Sequence, residues 1–273
     1  MSSALEKSLG LLERMAQTPQ GMSVSQLSEE LELPASGVHR QLQELSRLGY
    51  VRQEQSQGNY TLTIRLAAVG LGFLGRSGVT DIAQPILDRL AREAGELIRL
   101  SVFDSGRLTW VAVAQGATSS LRYDPGREQG VVVHLASSAG GRALLARLPE
   151  RMALAMLGEQ GLEPDFEHGS KAPKSIAELM KILETTRKRG YSVAIDSYLQ
   201  GMAAMAVTIE AKGHELPLGC LSIAGPSVRF TEQRIEELHP ALRAAADELG
   251  QAANASHYFA AFRSPSFAER GAA

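Results

Sequence analysis

Gly70, Gly72 and Gly75 spell G-x-G-x-x-G in the run GLGFLG. That spacing can lay backbone N–H groups against a pyrophosphate when it follows a strand and opens a helix. YTLTIRLAAV precedes it, and Asp104 at the end of IRLSVFD could hold a ribose, so a nucleotide-dependent enzyme is one reading. The context argues against it. RSGVTD intervenes before the helical pattern restarts at Asp81, and the strand would have to share Tyr60 and Leu62 with a two-stranded ribbon. The small residues Ala67, Ala68, Gly70 and Gly72 suit a helix that lets two subunits approach closely. The enzyme is kept as the alternative.

A second glycine-rich stretch, SSAGGRALLA from Ser137 to Ala146, enters a helix. Without a Lys-Ser or Lys-Thr ending it is no phosphate loop. It is either an ordinary helix N-cap with glycines for tight packing, or an anion site whose free N–H groups and positive helix end take a carboxylate. Catalytic chemistry finds no support. His39, His134, His168, His214, His239 and His257 are scattered, none with a metal-binding partner one turn away. Cys220 lies in an apolar strand, ASSAG lacks the glycine of a nucleophile elbow, and Trp110 reads as core. No catalytic residue, metal or cofactor is expected.

The third chemistry-bearing stretch is ELPASGVHRQLQELSRLGYV, Glu32 to Val51. Val38, Leu42, Leu45 and Leu48 form one helical stripe, and Ser36, His39, Arg40, Gln43 and Arg47 occupy the opposite face. Ser36 reads as the N-cap, after Pro34 has ended the preceding helix. Such a face can enter the roughly 12 Å major groove of DNA, where Arg40 can donate twice to one guanine. Gly37 sits in the first turn, and Arg52 and Arg65 lie near the ribbon as phosphate contacts. The net charge of −2 over 273 residues supplies no global attraction to nucleic acid, so any binding uses a local patch. No secretory signal or apolar run of membrane-spanning length appears, and the one cysteine forbids an intramolecular disulfide. The expected location is the cytoplasm.

These stretches need positioning elements. Residues 4–17 read as a helix with Leu5, Leu9, Leu12 and Ala16 inward. Ser23 and Gln26 form the S-x-x-Q of a capping box before a short helix that turns Leu27 and Leu31 inward. The helix of the third stretch follows, then β-prone runs Tyr50–Glu54 and Asn59–Ile64 joined by QSQG. That is the order of a winged helix-turn-helix. Residues 65–78 read as a linker helix, and Asp81–Ala94 as a helix with Ile82, Ile86, Leu90 and Ala94 inward. Strands follow at IRLSVF and LTWVAVA, helices at Gly141–Arg147 and Ile176–Arg189, and strands at Ala204–Ile209 and Pro217–Ile223. A last helix starts after Phe230, with Thr231 at its head. The class is α+β. The domains are expected at 1–64, 65–78 (linker) and 79–260, with a flexible tail at 261–273.

SVSQLSEELELPASGVHRQLQELSRLGYV and GNYTLTIRL, then HLASSAGGRALLA, TRKRGYSVAIDSYLQGMAAMAV and LGCLSIAGPSVRFTEQRI, resemble the IclR-type bacterial transcriptional regulators in order and spacing over nearly the full chain. The resemblance implies an N-terminal winged helix-turn-helix, a linker helix and a C-terminal GAF-like antiparallel-sheet effector domain. It also implies a double-stranded DNA operator, a small-molecule effector, and homodimers or dimers of dimers forming a tetramer. The DNA-binding set is then Ser23, Ser36, Gly37, His39, Arg40, Gln43, Arg47, Arg52 and Arg65. By the same resemblance the effector pocket draws on Leu121, His134, Ser137, Ser138, Ala139, Gly140, Ala194, Tyr198, Met202, Ala204, Ser222 and Ala224. Relatives that bind very polar acids carry acidic, cysteine or serine groups where this chain has Ala194, Ala204 and Ala224. An alanine wall cannot satisfy a hydroxyl-rich ligand. The expected effector is therefore a small carboxylic acid with an aromatic or apolar body, its polar end held by Ser137, Ser138 and Ser222.

Overall fold

The computed structural model describes residues 3–54, 58–118, 121–123, 128–164, 166–256 and 258–259. The expected tail lies outside them, as does most of QSQG. The chain divides into two units, Met1–Arg76 and Ser77–Ala273.

In the first unit, helix α1 spans Ala4–Ala16, α2 Val24–Glu30 and α3 Ala35–Arg47. The capping box at Ser23 is present: Gln26 N–H donates to Ser23 Oγ at 3.2 Å and Ser23 N–H to Gln26 Oε1 at 2.9 Å. A reciprocal cap of this kind contributes about 1 kcal/mol. Ser36 is not the cap of α3. Pro34 holds that position without a side-chain bond, and its carbonyl accepts from Gly37 at 2.8 Å and Val38 at 3.1 Å. Its ring-fixed φ of −58° suits a helix entry, so the helix begins before Ser36. Strands β1 (Val51–Gln53) and β2 (Tyr60–Leu62) pair antiparallel, and Tyr60 also bridges Met22. Leu11, Leu12, Met15, Leu27, Val38, Leu42, Leu45, Val51 and Tyr60 form the core.

The inward assignments of Leu5, Leu9 and Ala16 on α1 and of Leu48 on α3 fail, all four being exposed. Leu5 is 68% and Leu9 49% exposed, and α1 turns Leu11 and Met15 inward instead. The sequence ALEKSLGLLERMA offers two overlapping apolar stripes, and packing against α3 selects one. Leu48 is exposed because it is the C-cap of α3, where the chain turns away at Gly49 with φ +79°.

Helix α4 runs unbroken over Ile64–Ser77, so Gly70, Gly72 and Gly75 lie inside a helix and form no loop. Their N–H groups belong to the helical ladder and cannot cradle a phosphate. Along α4, Ile64, Val69 and Leu71 are exposed and only Ser77 is buried.

The second unit opens with α5, Val79–Ala94, two residues earlier than expected. Its sheet has the order β4-β3-β7-β6-β5, built from β3 (Leu97–Asp104), β4 (Arg107–Gln115), β5 (Ser192–Ile195), β6 (Met202–Ile209) and β7 (Gly219–Pro226), every pairing antiparallel. Helices α6 (Ala139–Arg147), α7 (Glu150–Gln160), α8 (Ile176–Arg189) and α9 (Glu232–Ala252, capped by Thr231) complete it. The sequence reading did not anticipate α7 or β5.

Strand alternation sorts the core into two layers. Ile98, Leu100, Met205, Val207, Leu221 and Ile223 meet α5 and α9 on one face. Trp110, Ala204, Ala206, Cys220 and Ala224 meet α6 and α8 on the other. Both faces are covered, which is why these strands are largely apolar. The second layer requires close approach at Gly141, where a Cβ would stand 2.4 Å from Leu135 Cα. No helix among the described residues is long and apolar enough to cross a membrane.

Candidate DNA-binding helix and ligand cavity

On α3 the exposed face carries Ser36, His39, Arg40, Gln43 and Arg47, with Gly37 half-buried between them. Arg40, Gln43 and Arg47 border an open hollow with Gln41 and Glu44. Arg40 makes no hydrogen bond or ion pair among the described residues. Arg47 instead holds Glu44 one turn back, Nε to Oε2 at 3.0 Å, and the pair keeps the Glu44 carboxyl below its usual range. Arg52 reaches Thr61 Oγ1 at 3.3 Å from the first strand of the wing. Arg65 is tied back: Nη1 donates to the Leu48 carbonyl at 2.6 Å, and the guanidinium lies 5.0 Å from the Tyr50 ring. Ser23 is occupied in capping α2. The cations left least engaged are therefore Arg40 and Arg52.

The second unit holds a cavity on the α6 face of the sheet. Eight of the twelve expected pocket residues line it: Ser138, Ala139, Gly140, Ala194, Tyr198, Met202, Ala204 and Ser222. Arg99 and Trp110 line it as well, and sequence reasoning missed both. About 20 Å³ is open to a water-sized sphere, the room of one water molecule, so a ligand must part the walls. The other four stand aside. Leu121 is exposed, with its carbonyl accepting from Arg229 Nη1 at 2.8 Å. Ser137 is fully buried with its Oγ 2.8 Å from His134 Nδ1. Ala224 pairs with Ala204 across the β6–β7 ladder and is packed into the core.

Local sequence explains the cavity's polar end. Ser138 caps α6, its Oγ accepting from Gly141 N–H at 3.0 Å and donating to the His134 carbonyl at 2.6 Å. Ala139 and Gly140 occupy the first turn, where helical N–H groups have no carbonyl partner within the helix. Arg142, one turn on, is buried and staples this loop to its surroundings: Nε to the Ala136 carbonyl at 2.8 Å, Nη1 to the Val193 carbonyl at 3.0 Å and Nη2 to Ser197 Oγ at 2.6 Å. Burial lowers its pKa to about 10.

The sides are apolar and aromatic. Ala204 pairs with Ala194 and with Ala224 in one row across three strands. Trp110 meets Tyr198 edge-on at 5.5 Å, and Tyr198 meets Phe166 at 5.1 Å. Burial pushes the Tyr198 hydroxyl up to about 12, so it stays neutral and can donate. Beside them Arg99 Nη1 binds both Glu128 oxygens, at 2.8 and 2.7 Å. Tyr123 donates to Glu128 Oε1 at 2.7 Å. Burial holds the Glu128 carboxyl above its usual range, against the pull of Arg99 and Tyr123. Cys220 Sγ lies 3.3 Å from the Gly140 carbonyl, and burial drives its pKa upward, so the thiol is packed and unreactive. Among the described residues no group of His, Cys, Asp and Glu could hold a metal ion.

Comparison with known proteins agrees with this arrangement. Residues 4–55 match the IclR helix-turn-helix domain, and residues 72–251 match the bacterial transcriptional regulator IclR C-terminal domain. The chain belongs to the IclR family. It is 30% identical over 246 residues to the acetate operon repressor of Salmonella typhimurium, covering 90% of this chain and 88% of that one. The structure of an IclR regulator from Silicibacter superposes with a TM-score of 0.75 at 22% identity, covering 91% of this chain and 95% of that one. An IclR homologue from Microbacterium hydrocarbonoxydans, solved with 4-hydroxybenzoate, gives a TM-score of 0.70 at 20% identity, covering 93% of this chain and 100% of that one. IclR proteins are DNA-binding transcriptional regulators, and that coarse function applies to this chain.

Proposed function

We propose that this IclR regulator binds a specific operator as a homodimer and that a small carboxylic acid with an aromatic or apolar body modulates the binding. The cavity lining carries the reading. Ala194, Met202, Ala204, Trp110 and Tyr198 offer a body-sized apolar wall, while the first turn of α6 and Ser222 supply polar contacts at one end. Each buried methylene gains about 0.8 kcal/mol there, whereas each unpaired ligand hydroxyl would cost about 1–3 kcal/mol. The 4-hydroxybenzoate bound by the Microbacterium homologue belongs to this chemical class. Ser137 is turned to His134 and the Ser138 hydroxyl donates to the His134 carbonyl, so the polar end rests on the Ala139 and Gly140 N–H groups and on Ser222.

One winged helix buries little DNA surface, so selectivity calls for two half-sites. The exposed apolar residues of α4 supply the contact between copies: Ile64 is 80% and Leu71 67% exposed. The effector acts through its different affinities for DNA-competent and incompetent arrangements. Calorimetry of the full chain against benzoate-like acids, and against glyoxylate and pyruvate, tests the ligand class. Tighter binding of the two small polar acids overturns it.

A further inference from the structure

We infer that Arg99 is the carboxylate-binding residue of the cavity, taking the acid on the edge of its guanidinium that Glu128 leaves bare. This rests on the acid-effector reading above and names the group that recognises the anion.

Arg99 is only 3% exposed, on β3 between β4 and β7, and it lines the cavity. A buried arginine stays charged and normally spends its planar fork on a carboxylate, two parallel N–H groups to two oxygens. Arg99 does not. Both Glu128 oxygens sit on the single nitrogen Nη1. Nε is buried and has no hydrogen-bond partner among the described residues. A buried donor without a partner is costly and uncommon, and in a cavity wall a bound acceptor would satisfy it. The Nε–Nη2 edge is the fork that pairs with a carboxylate, and Glu128 leaves it uncovered. Stacking fixes its plane, with Trp110 at 4.9 Å and Tyr123 at 5.5 Å from the guanidinium carbon. The cavity also reaches the first turn of α6, whose helix end favours an anion. A carboxylate on Arg99 thus meets a fork and a helix N-terminus together, with Trp110 and Tyr198 beside an aromatic body.

Trp110 is the chain's sole tryptophan and lines the cavity, so its fluorescence reports occupancy directly. The full-length protein is titrated with benzoate, with its neutral isostere benzamide and with glyoxylate. Wild type should prefer benzoate over benzamide by about tenfold or more, the worth of one charge-assisted hydrogen bond. Arg99→Met combined with Glu128→Gln removes both charges, leaves neither buried alone, and should bring the ratio near one. Glu128→Gln by itself keeps a partner for Nη1 and removes a repelling charge. It should tighten benzoate and leave benzamide unchanged. A ratio that survives in the double variant, or the absence of any anion preference in wild type, overturns the role of Arg99. An unchanged ratio in Glu128→Gln does the same where the double variant does not fold. If wild type prefers glyoxylate and the double variant loses it, Arg99 keeps its role and the apolar-body reading fails.

Discussion

Arg99 and Ser222 stand opposite each other across the β3–β7 ladder, and the Ser222 hydroxyl donates to the Arg99 carbonyl at 3.4 Å. The pair places a cation and a hydroxyl on neighbouring strands at the edge of an otherwise alanine-lined wall. Polarity in this cavity comes from that edge, the head of α6 and the Tyr198 hydroxyl.

Ala204 is the most informative wall position, being paired with Ala194 on one side and Ala224 on the other. Ala204→Asp adds a buried carboxylate facing the ligand. It should weaken an aromatic acid by about tenfold or more, through repulsion and desolvation. DNA binding without ligand should be unchanged. Calorimetry and a DNA titration on the same preparation check both halves.

Arg40 makes no competing bond on the exposed face of α3, whereas Arg52 stands on the wing. Arg40→Ala should cost about 1–3 kcal/mol on the true operator and relax one base position. Arg52→Ala should weaken all duplexes alike and lower the salt slope by about one. Equal losses from Arg40→Ala on specific and random DNA would remove its base-reading role. Arg65→Ala should act on folding stability, because that side chain already binds the Leu48 carbonyl.

Gly72 tests the interface on α4. A Cβ there meets only the mobile end of Arg76, at 3.2 Å, so the isolated helix accepts a larger side chain. Replacing a mid-helix glycine should even stabilise α4 by about 0.5–1 kcal/mol. Gly72→Leu should nonetheless reduce dimerisation and operator binding, measured by sedimentation and anisotropy. A fully dimeric, DNA-competent variant would show that copies do not meet there.

His239 gives a pH dependence. Burial first, then Arg243 and Arg189, lowers its pKa from 6.5, and its ring lies 4.5 Å from Tyr191. The unfolded chain therefore takes up the proton first as pH falls. The stability contribution is present above about pH 6.5 and is lost as pH drops through the lowered folded value. His239→Gln should flatten that part of a denaturant-midpoint profile, and an unchanged profile would exclude the residue as the source.

The sequence was most legible where a side chain had one use. The Ser23–Gln26 spacing predicted a cap that forms, and Thr231 heads α9 as expected. It was least legible where two stripes overlapped, as with Leu5 and Leu9 on α1, since only packing against α3 chooses between them. Pro34 displaced Ser36 as the cap because a fixed φ can open a helix without a hydroxyl. The alanines of the cavity were readable by resemblance. Arg99 was not, because IRLSVF reads as an apolar strand. A charge inside a strand buried on both faces was the signal available, since such a charge must be paired or used. Trp110, taken for core, belongs to the core cluster and to the cavity wall alike.

The central claim is that an acid in this cavity changes operator affinity. The direct measurement is fluorescence anisotropy of the full chain on a duplex selected from random DNA, with saturating benzoate and with benzamide as control. The account predicts a roughly tenfold shift in affinity for the selected duplex with the acid, a coupling of about 1–3 kcal/mol, and none with the amide. Saturation of the Trp110 signal by benzoate with no change in DNA affinity would contradict it.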